Sequence, residues 1–237
     1  MRVLVFQHIN IEHPGVFRDF LSEDGVDWDV VELDEGEPIP SLATYDALWV
    51  MGGPMDVWEE EKYPWLVDEK AVIREVVSER GMPFLGICLG HQLLADALGG
   101  RVAPMAQPEV GILDVELTPA GRSDPLLAGL PQGIKCLQWH GAEVVEPPPD
   151  ATVLAGSSLC TVQALRVGEN AYGLQYHVEL AASTVSEWAQ VTAYKQYLER
   201  VLGANAFPRL DAEATLRMPA FNRDARRIYD NFMAFLR

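Results

Sequence analysis

The chain has 237 residues, 49% of them hydrophobic, enough for one sizeable core without forcing a second. Its 35 acidic residues against 18 basic ones give a formal charge of −17, a surface that repels nucleic acid and anionic lipid headgroups, so neither is an expected partner. No apolar run reaches the length of a membrane span, and the start lacks the apolar stretch and cleavage site of a secretory signal, so a cytoplasmic location is expected.

The first half alternates strand and helix patterns. Arg2–His8, Trp28–Leu33, Ala47–Gly52 and Pro83–Cys88 read as strands, with helices near Val16–Glu23 and Tyr63–Arg80. Pro64 near the start of the second helix and Gly81 just past its end fit helix boundaries. This alternation predicts a mostly parallel central sheet with helices on both faces and ligands at the carboxyl ends of its strands.

After a helix beginning near Leu89 the texture changes. Val110–Thr118, Ile134–Trp139, Thr152–Ala155, Val162–Val167 and Ala171–His177 read as strands separated by turns, a small antiparallel region. Thr184-x-x-Glu187 fits a capping box, and Val185, Trp188, Val191, Leu198 and Leu202 form a helical stripe before Gly203. A last helix is expected over Asp224–Phe235, its aromatic residues Tyr229, Phe232 and Phe235 serving packing. The two acidic clusters, Glu32 to Glu37 and Glu59-Glu60-Glu61, read as solvated surface. With no repeat and no long linker, the expectation is one α/β three-layer domain over 1–237, in which 181–237 form a helical extension packed on the rest.

Three cysteines, Cys88, Cys136 and Cys160, are widely spaced, which argues against a disulfide framework or a zinc ribbon. Cys88 stands apart. A short apolar run delivers it between Gly86 and Gly90 at a strand-to-helix turn, the layout of a nucleophile elbow. Free N–H groups at the start of the following helix favour thiolate over thiol. In Gly173-Leu-Gln-Tyr-His177-Val-Glu179, residues two apart on a strand share a face, so Glu179 can orient and charge-stabilise His177. His177 in turn can generate the Cys88 thiolate. The N–H of Leu89 and the glycine loop Met51-Gly-Gly-Pro-Met55 are candidates to hold a developing oxyanion. His8 and His13 flank Glu12, but two imidazoles without further spaced ligands read as a surface loop at the first strand's end rather than a metal site.

Gly-Ile-Cys88-Leu-Gly-His-Gln92, Gly-Leu-Gln-Tyr-His177-Val-Glu179 and the Gly52-Gly53-Pro54 loop together resemble a class I glutamine amidotransferase domain, in the right order and spacing over roughly residues 1–200. Met51-Gly-Gly-Pro-Met-Asp-Val57 and Gln138-Trp-His-Gly141 are most similar to stand-alone proteins related to the amidotransferase domain of GMP synthase. The resemblance implies a flavodoxin-like sheet, no cofactor and no metal, and a Cys88–His177–Glu179 triad. Cys88 would form a γ-glutamyl thioester, His177 would protonate the departing ammonia and then activate water, and Gly53 and Leu89 would supply the oxyanion hole. Gly52, Met55, Gln92, Gly141 and Ala142 would contact the substrate. His140 has no catalytic role in that pattern and is expected to be structural.

One departure is visible. The family usually has His-Pro-Glu, and here Val178 replaces the proline, which would have pre-set the backbone; a β-branched valine is still comfortable in a strand. Residues after about 200 are too few for a synthase domain, so an ammonia acceptor would be a separate synthase subunit. Two other readings stand beside glutamine hydrolysis. One keeps the thioester and enlarges the leaving group, as in a γ-glutamyl peptidase acting on γ-glutamyl peptides or amines. The other is a non-catalytic regulatory or binding subunit.

Overall fold

In the computed structural model, which describes residues 1–237, the first half builds β1 (Arg2–Gln7), α1 (Phe17–Glu23), β2 (Asp27–Glu32), β3 (Ala47–Val50), α2 (Trp65–Arg74), β4 (Phe84–Ile87) and α3 (Leu89–Ala97). There follow β5 (Arg101–Leu117), α4 (Pro119–Ser123), β6 (Gly133–Glu146), β7 (Ala151–Gly156), β8 (Ala164–Val167) and β9 (Ala171–Leu174). The chain closes with α5 (Thr184–Trp188), α6 (Thr192–Leu202) and α7 (Ala206–Met233).

All nine strands form one sheet in the order β2-β1-β3-β4-β9-β8-β7-β5-β6. The first five of these run parallel, and the last four continue the sheet antiparallel from β9. The expected α/β class, a mostly parallel core with an antiparallel region, is what the chain adopts. Because β1 lies between β2 and β3, the strand order reverses there, and a crevice opens at the carboxyl ends of β1, β3 and β4.

The inner parallel strands β1, β3, β4 and β9 are apolar on both faces, as a sheet covered on two sides requires, whereas the edge strand β2 is only partly buried. Val3, Val5, Trp49, Leu85 and Ile87 face one layer, where Phe17 and Phe20 of α1 meet Tyr229 and Phe232 of α7. Leu4, Phe6, Leu48, Val50 and Phe84 face the other, beneath Leu66 and Ile73 of α2 and Leu93 and Leu94 of α3. A third apolar cluster joins Trp139 on β6 to Trp188, Tyr194, Leu198, Phe207 and Leu210, fastening α5, α6 and the start of α7 over the β5–β6 hairpin.

Several sequence expectations need correction. The helix expected to reach Arg80 is α-helical only to Arg74 and continues as a π-helical turn over Glu75–Glu79. The strands expected at Val110–Thr118 and Ile134–Trp139 are parts of one long hairpin, β5 with β6, whose exposed outer positions conceal its length from apolar patterning. The capping box does not form: Ser183 occupies the N-cap, and Thr184 Oγ1 instead accepts from the Ala181 N–H at 3.0 Å. The helical stripe from Val185 to Leu202 is broken between α5 and α6. The last helix begins not at Asp224 but at Ala206 and carries Pro219 inside it; burial of Phe207, Leu210 and Ala214 sustains the earlier turns. Finally, β9 ends at Leu174, so His177 and Glu179 lie beyond the strand, held by a single bridge from His177 to Leu137.

Candidate active site

Cys88 sits where β4 ends and α3 begins, with φ 53° and ψ −101°. An L-residue held there stores about 1–3 kcal/mol of strain. The flanking glycines make the turn fit. A β-carbon on Gly86 would lie 2.3 Å from the Gly90 carbonyl oxygen, and one on Gly90 would lie 2.1 Å from that of Val50. A side chain at either position would push α3 away from the sheet. The Cys88 N–H donates to the Leu174 carbonyl at 2.8 Å, tying the turn to β9.

Three residues past the end of β9, His177 reaches the same point. Its N–H donates to the Leu137 carbonyl at 2.9 Å, its Nδ1 lies 2.7 Å from Glu179 Oε1, and Trp188 packs edge-on against the ring. The other Glu179 oxygen accepts from the Val178 N–H at 2.9 Å. Nδ1 is thereby engaged, which leaves Nε2 as the ring nitrogen available to the Cys88 sulfur. Burial disfavours the imidazolium, but Glu179 and the Cys88 sulfur outweigh it, and His177 titrates well above the ordinary histidine range. A thiol beside an imidazole that a carboxylate orients is equipped for nucleophilic attack on a carbonyl.

Two backbone donors belong to residues that line one cleft with Cys88. The Leu89 N–H opens α3, and the Gly53 N–H lies on the loop after β3; neither has an acceptor within the fold. The two residues pack together: a β-carbon on Gly53 would lie 3.0 Å from Leu89 Cδ2. Unpartnered N–H groups at this position can receive an oxygen that gains charge.

A cleft of about 550 Å³ opens over Cys88. Of the sequence-predicted residues, Gly53, Met55, Cys88, Leu89, Gln92, Gly141 and Ala142 line it. Gly52, His177 and Glu179 are not on its wall; the Gly52 carbonyl accepts from His8 Nδ1, and the other two stand behind Cys88. Gln92 Nε2 donates to the Ala142 carbonyl at 3.2 Å and to Gln175 Oε1 at 3.0 Å, and Gln175 Nε2 lies 3.8 Å from the Cys88 sulfur. His140 Nδ1 donates to the same Ala142 carbonyl at 2.9 Å. The Gly141–Ala142 segment is thus pinned from two sides.

The first loop is not wholly on the surface, although Asn10 at its tip is exposed. His8 and Glu12 are both buried, and Glu12 lines the cleft. Its Oε1 accepts from the Tyr194 hydroxyl at 2.8 Å, and its Oε2 would lie 2.6 Å from a β-carbon on Gly52. Burial raises the Glu12 pKa, against the opposing pull of His177 and Tyr194. Its place at the carboxyl edge of β1 was the one signal available for it.

Tyr194, Tyr197 and Arg200 of α6 line another side of the cleft, and no motif announces them. A β-carbon on Gly141 would lie 2.4 Å from the Tyr197 hydroxyl, while Arg200 stacks on the Tyr197 ring. No group of three or more His, Cys, Asp or Glu side chains is arranged to hold a metal ion, and no helix is long and apolar enough to cross a membrane.

Residues 17–188 match the family model for glutamine amidotransferase class-I. The chain is similar to a subunit of the glutamine-hydrolysing GMP synthase of Sulfolobus acidocaldarius, 34% identical over 153 residues that span 64% of this chain and 77% of that one. It is also similar to the glutamine amidotransferase-like protein YfeJ of Salmonella typhimurium, 33% identical over 190 residues and 78% of each chain. Its fold superposes on the crystal structure of a glutamine amidotransferase from Thermotoga maritima with a TM-score of 0.88, at 31% identity, covering 98% of this chain and 97% of that one.

Proposed function

Because this chain belongs to the class I glutamine amidotransferase family, we propose that it hydrolyses the side-chain amide of glutamine through a γ-glutamyl thioester on Cys88. The observation that supports this reading is that Cys88, at a strained turn, shares one cleft with Gly53 and Leu89, whose N–H groups lack partners, while Glu179 holds His177.

The steps follow from those positions. The Cys88 thiolate adds to the amide carbonyl, and the resulting oxyanion is received by the Gly53 and Leu89 N–H groups. The His177 imidazolium gives its proton to the amide nitrogen, the C–N bond breaks, and ammonia leaves. His177, now neutral, takes a proton from water as the hydroxide oxygen attacks the thioester. The C–S bond then breaks, releasing glutamate and restoring the thiolate–imidazolium pair. Glu179 holds the imidazole throughout. Gln92, Met55 and the Gly141–Ala142 segment seat the amino-acid end, with Gly52 shaping the loop behind the oxyanion. A separate synthase protein would consume the ammonia, in keeping with the similarity to the GMP synthase component of Sulfolobus acidocaldarius.

The cleft favours a second reading. It runs from Cys88 past Trp58, Met105 and Pro108 to Arg200, and its 550 Å³ lies in the range of sites that hold ligands larger than one amino acid. The same thioester chemistry would then release an amine or peptide from a γ-glutamyl substrate. Mass-spectrometric product analysis of purified protein with glutamine and with a panel of γ-glutamyl peptides and anilides separates the two. Glutamate and ammonia from glutamine alone supports the first, and preferential turnover of larger substrates supports the second. Wild-type rates in Cys88→Ala would sink both.

A further inference from the structure

The steps above make no use of the fully buried pair His8–Glu69. His8 and Glu69 are fully buried, with His8 Nε2 2.9 Å from Glu69 Oε1 and the ring stacked on Trp65. The other ring nitrogen, Nδ1, lies 2.9 Å from the carbonyl oxygen of Gly52. A carbonyl and a carboxylate both accept only, so the ring donates from both sides and is an imidazolium when Glu69 is ionised. The second Glu69 oxygen has no partner at all. Burying such a pair is costly and is weak evidence for a stabilising role. Its third partner is therefore informative.

The Gly52 carbonyl and the Gly53 N–H belong to one peptide unit. That unit is planar and trans, so its C=O and N–H point in opposite directions. Holding the carbonyl toward His8 turns the N–H away from it, and Gly53 borders Leu89 and the cleft over Cys88. Glycines stand on both sides of this peptide and permit more orientations of it than residues with side chains would. His8 also packs directly beneath: a β-carbon on Gly53 would lie 2.8 Å from His8 Cβ.

We propose that His8 and Glu69 are positioning residues that lock the Gly52–Gly53 peptide with its N–H turned toward Cys88, so that the oxyanion site is already set in the chain without a partner protein. The proposal rests on the thioester reading. Glu69 holds the ring and keeps its charge, the ring holds the carbonyl, and the carbonyl fixes the donor. A synthase partner would then act on this site by delivering or consuming small molecules, not by turning the loop.

The test compares His8→Phe, which keeps stacking on Trp65 but removes the Nδ1 donor, with His8→Asn, whose amide can still reach the Gly52 carbonyl. Three quantities are read: kcat and KM for glutamine, the affinity of glutamate γ-semialdehyde, whose thiohemiacetal oxygen occupies the oxyanion site, and the rate of Cys88 alkylation by iodoacetamide, which needs no oxyanion site. For His8→Phe, kcat and aldehyde affinity should fall about 100-fold, in the range for loss of an oxyanion donor. KM and alkylation should stay within about threefold, and His8→Asn should recover about tenfold of the loss. A kcat for His8→Phe within threefold of wild type, or alkylation falling in parallel with kcat, would overturn the proposal. Should His8→Phe fail to fold, the wild type decides: a hydrogen-bonded His8 Nδ1 proton and a Gly53 amide resonance that moves when the aldehyde binds are required, and absence of either overturns it. A wild type that neither turns over γ-glutamyl amides nor captures the aldehyde instead removes the thioester reading, and that result is seen before any variant is compared.

Discussion

The N–H of Val178 donates to Oε2 of Glu179 at 2.9 Å while His177 engages Oε1 of the same carboxylate. The proline usual at this position in the family has no N–H to give. The substitution that looks like a loss of rigidity therefore adds a second hold on the orienting carboxylate.

Val178→Pro is expected to lower stability by roughly 1.5–3 kcal/mol, the worth of a hydrogen bond to a charged group, and to slow turnover several-fold. Thermal unfolding and glutaminase kinetics on the same preparation check it. Unchanged values for both would show that the amide bond contributes nothing.

The strained turn predicts a trade of stability for reactivity. Cys88→Ala removes the sulfur but keeps the β-carbon at φ 53°, whereas Cys88→Gly removes both. Both variants should be inactive, with the glycine variant more stable than the alanine one by about 1 kcal/mol or more. Denaturant unfolding of the pair measures this directly; an alanine variant that is the more stable would refute the strain.

His177 titrates well above the ordinary histidine value because Glu179 and the Cys88 sulfur outweigh its burial. Its contribution to stability is therefore fully present below the unfolded value of about 6.5 and is lost as pH rises through the raised folded value. In Glu179→Gln the NMR midpoint of the His177 ring should fall. Turnover should drop with it, since a weakly held neutral imidazole no longer stabilises the thiolate. An unmoved midpoint would remove Glu179 from the site's electrostatics.

His91, on α3 directly behind the elbow, is the opposite case. Complete burial lowers its pKa to about 3, and a β-carbon on Gly173 would sit 2.6 Å from its Nδ1. The unfolded chain takes up a proton near pH 6.5 that the folded one refuses, so stability should decline from about pH 6.5 down toward pH 3. His91→Gln should flatten that limb in a pH series of chemical unfolding, whatever it costs at neutral pH. An identical slope in the variant would assign the acid sensitivity elsewhere.

Much of the site was legible because its chemistry is local in sequence. Cys88 between two glycines, His177 two residues from Glu179, and the glycine loop after β3 each announce themselves within a few residues. The inner parallel strands were legible for the same reason, being short apolar runs buried on both faces. What escaped was set by distant packing. Tyr194 meets Glu12 across 182 positions, and nothing near either residue signals the other. The role of His8 was hidden because a histidine followed by a polar loop reads as surface, whereas the burial comes from Trp65 and Glu69 some 60 residues later. The start of α7 was missed because its apolar residues answer to a cluster on β6 and α5 rather than to its own periodicity.

The sheet order has a consequence for the birth of the molecule. β4, the apolar strand that carries Cys88, has β9 as its neighbour on one side, and β9 begins at Ala171. During synthesis at about 5–20 residues per second, β4 therefore waits on the order of ten seconds with that edge unpaired. Phe84-Leu-Gly-Ile87 is apolar and uncharged, and while it waits its unpaired N–H and C=O groups are open to pairing with another chain. The strand that places the nucleophile is thus also an edge that the nascent chain leaves open, and the yield of active protein should depend on how well the ribosome's surroundings shield it until the ninth strand arrives.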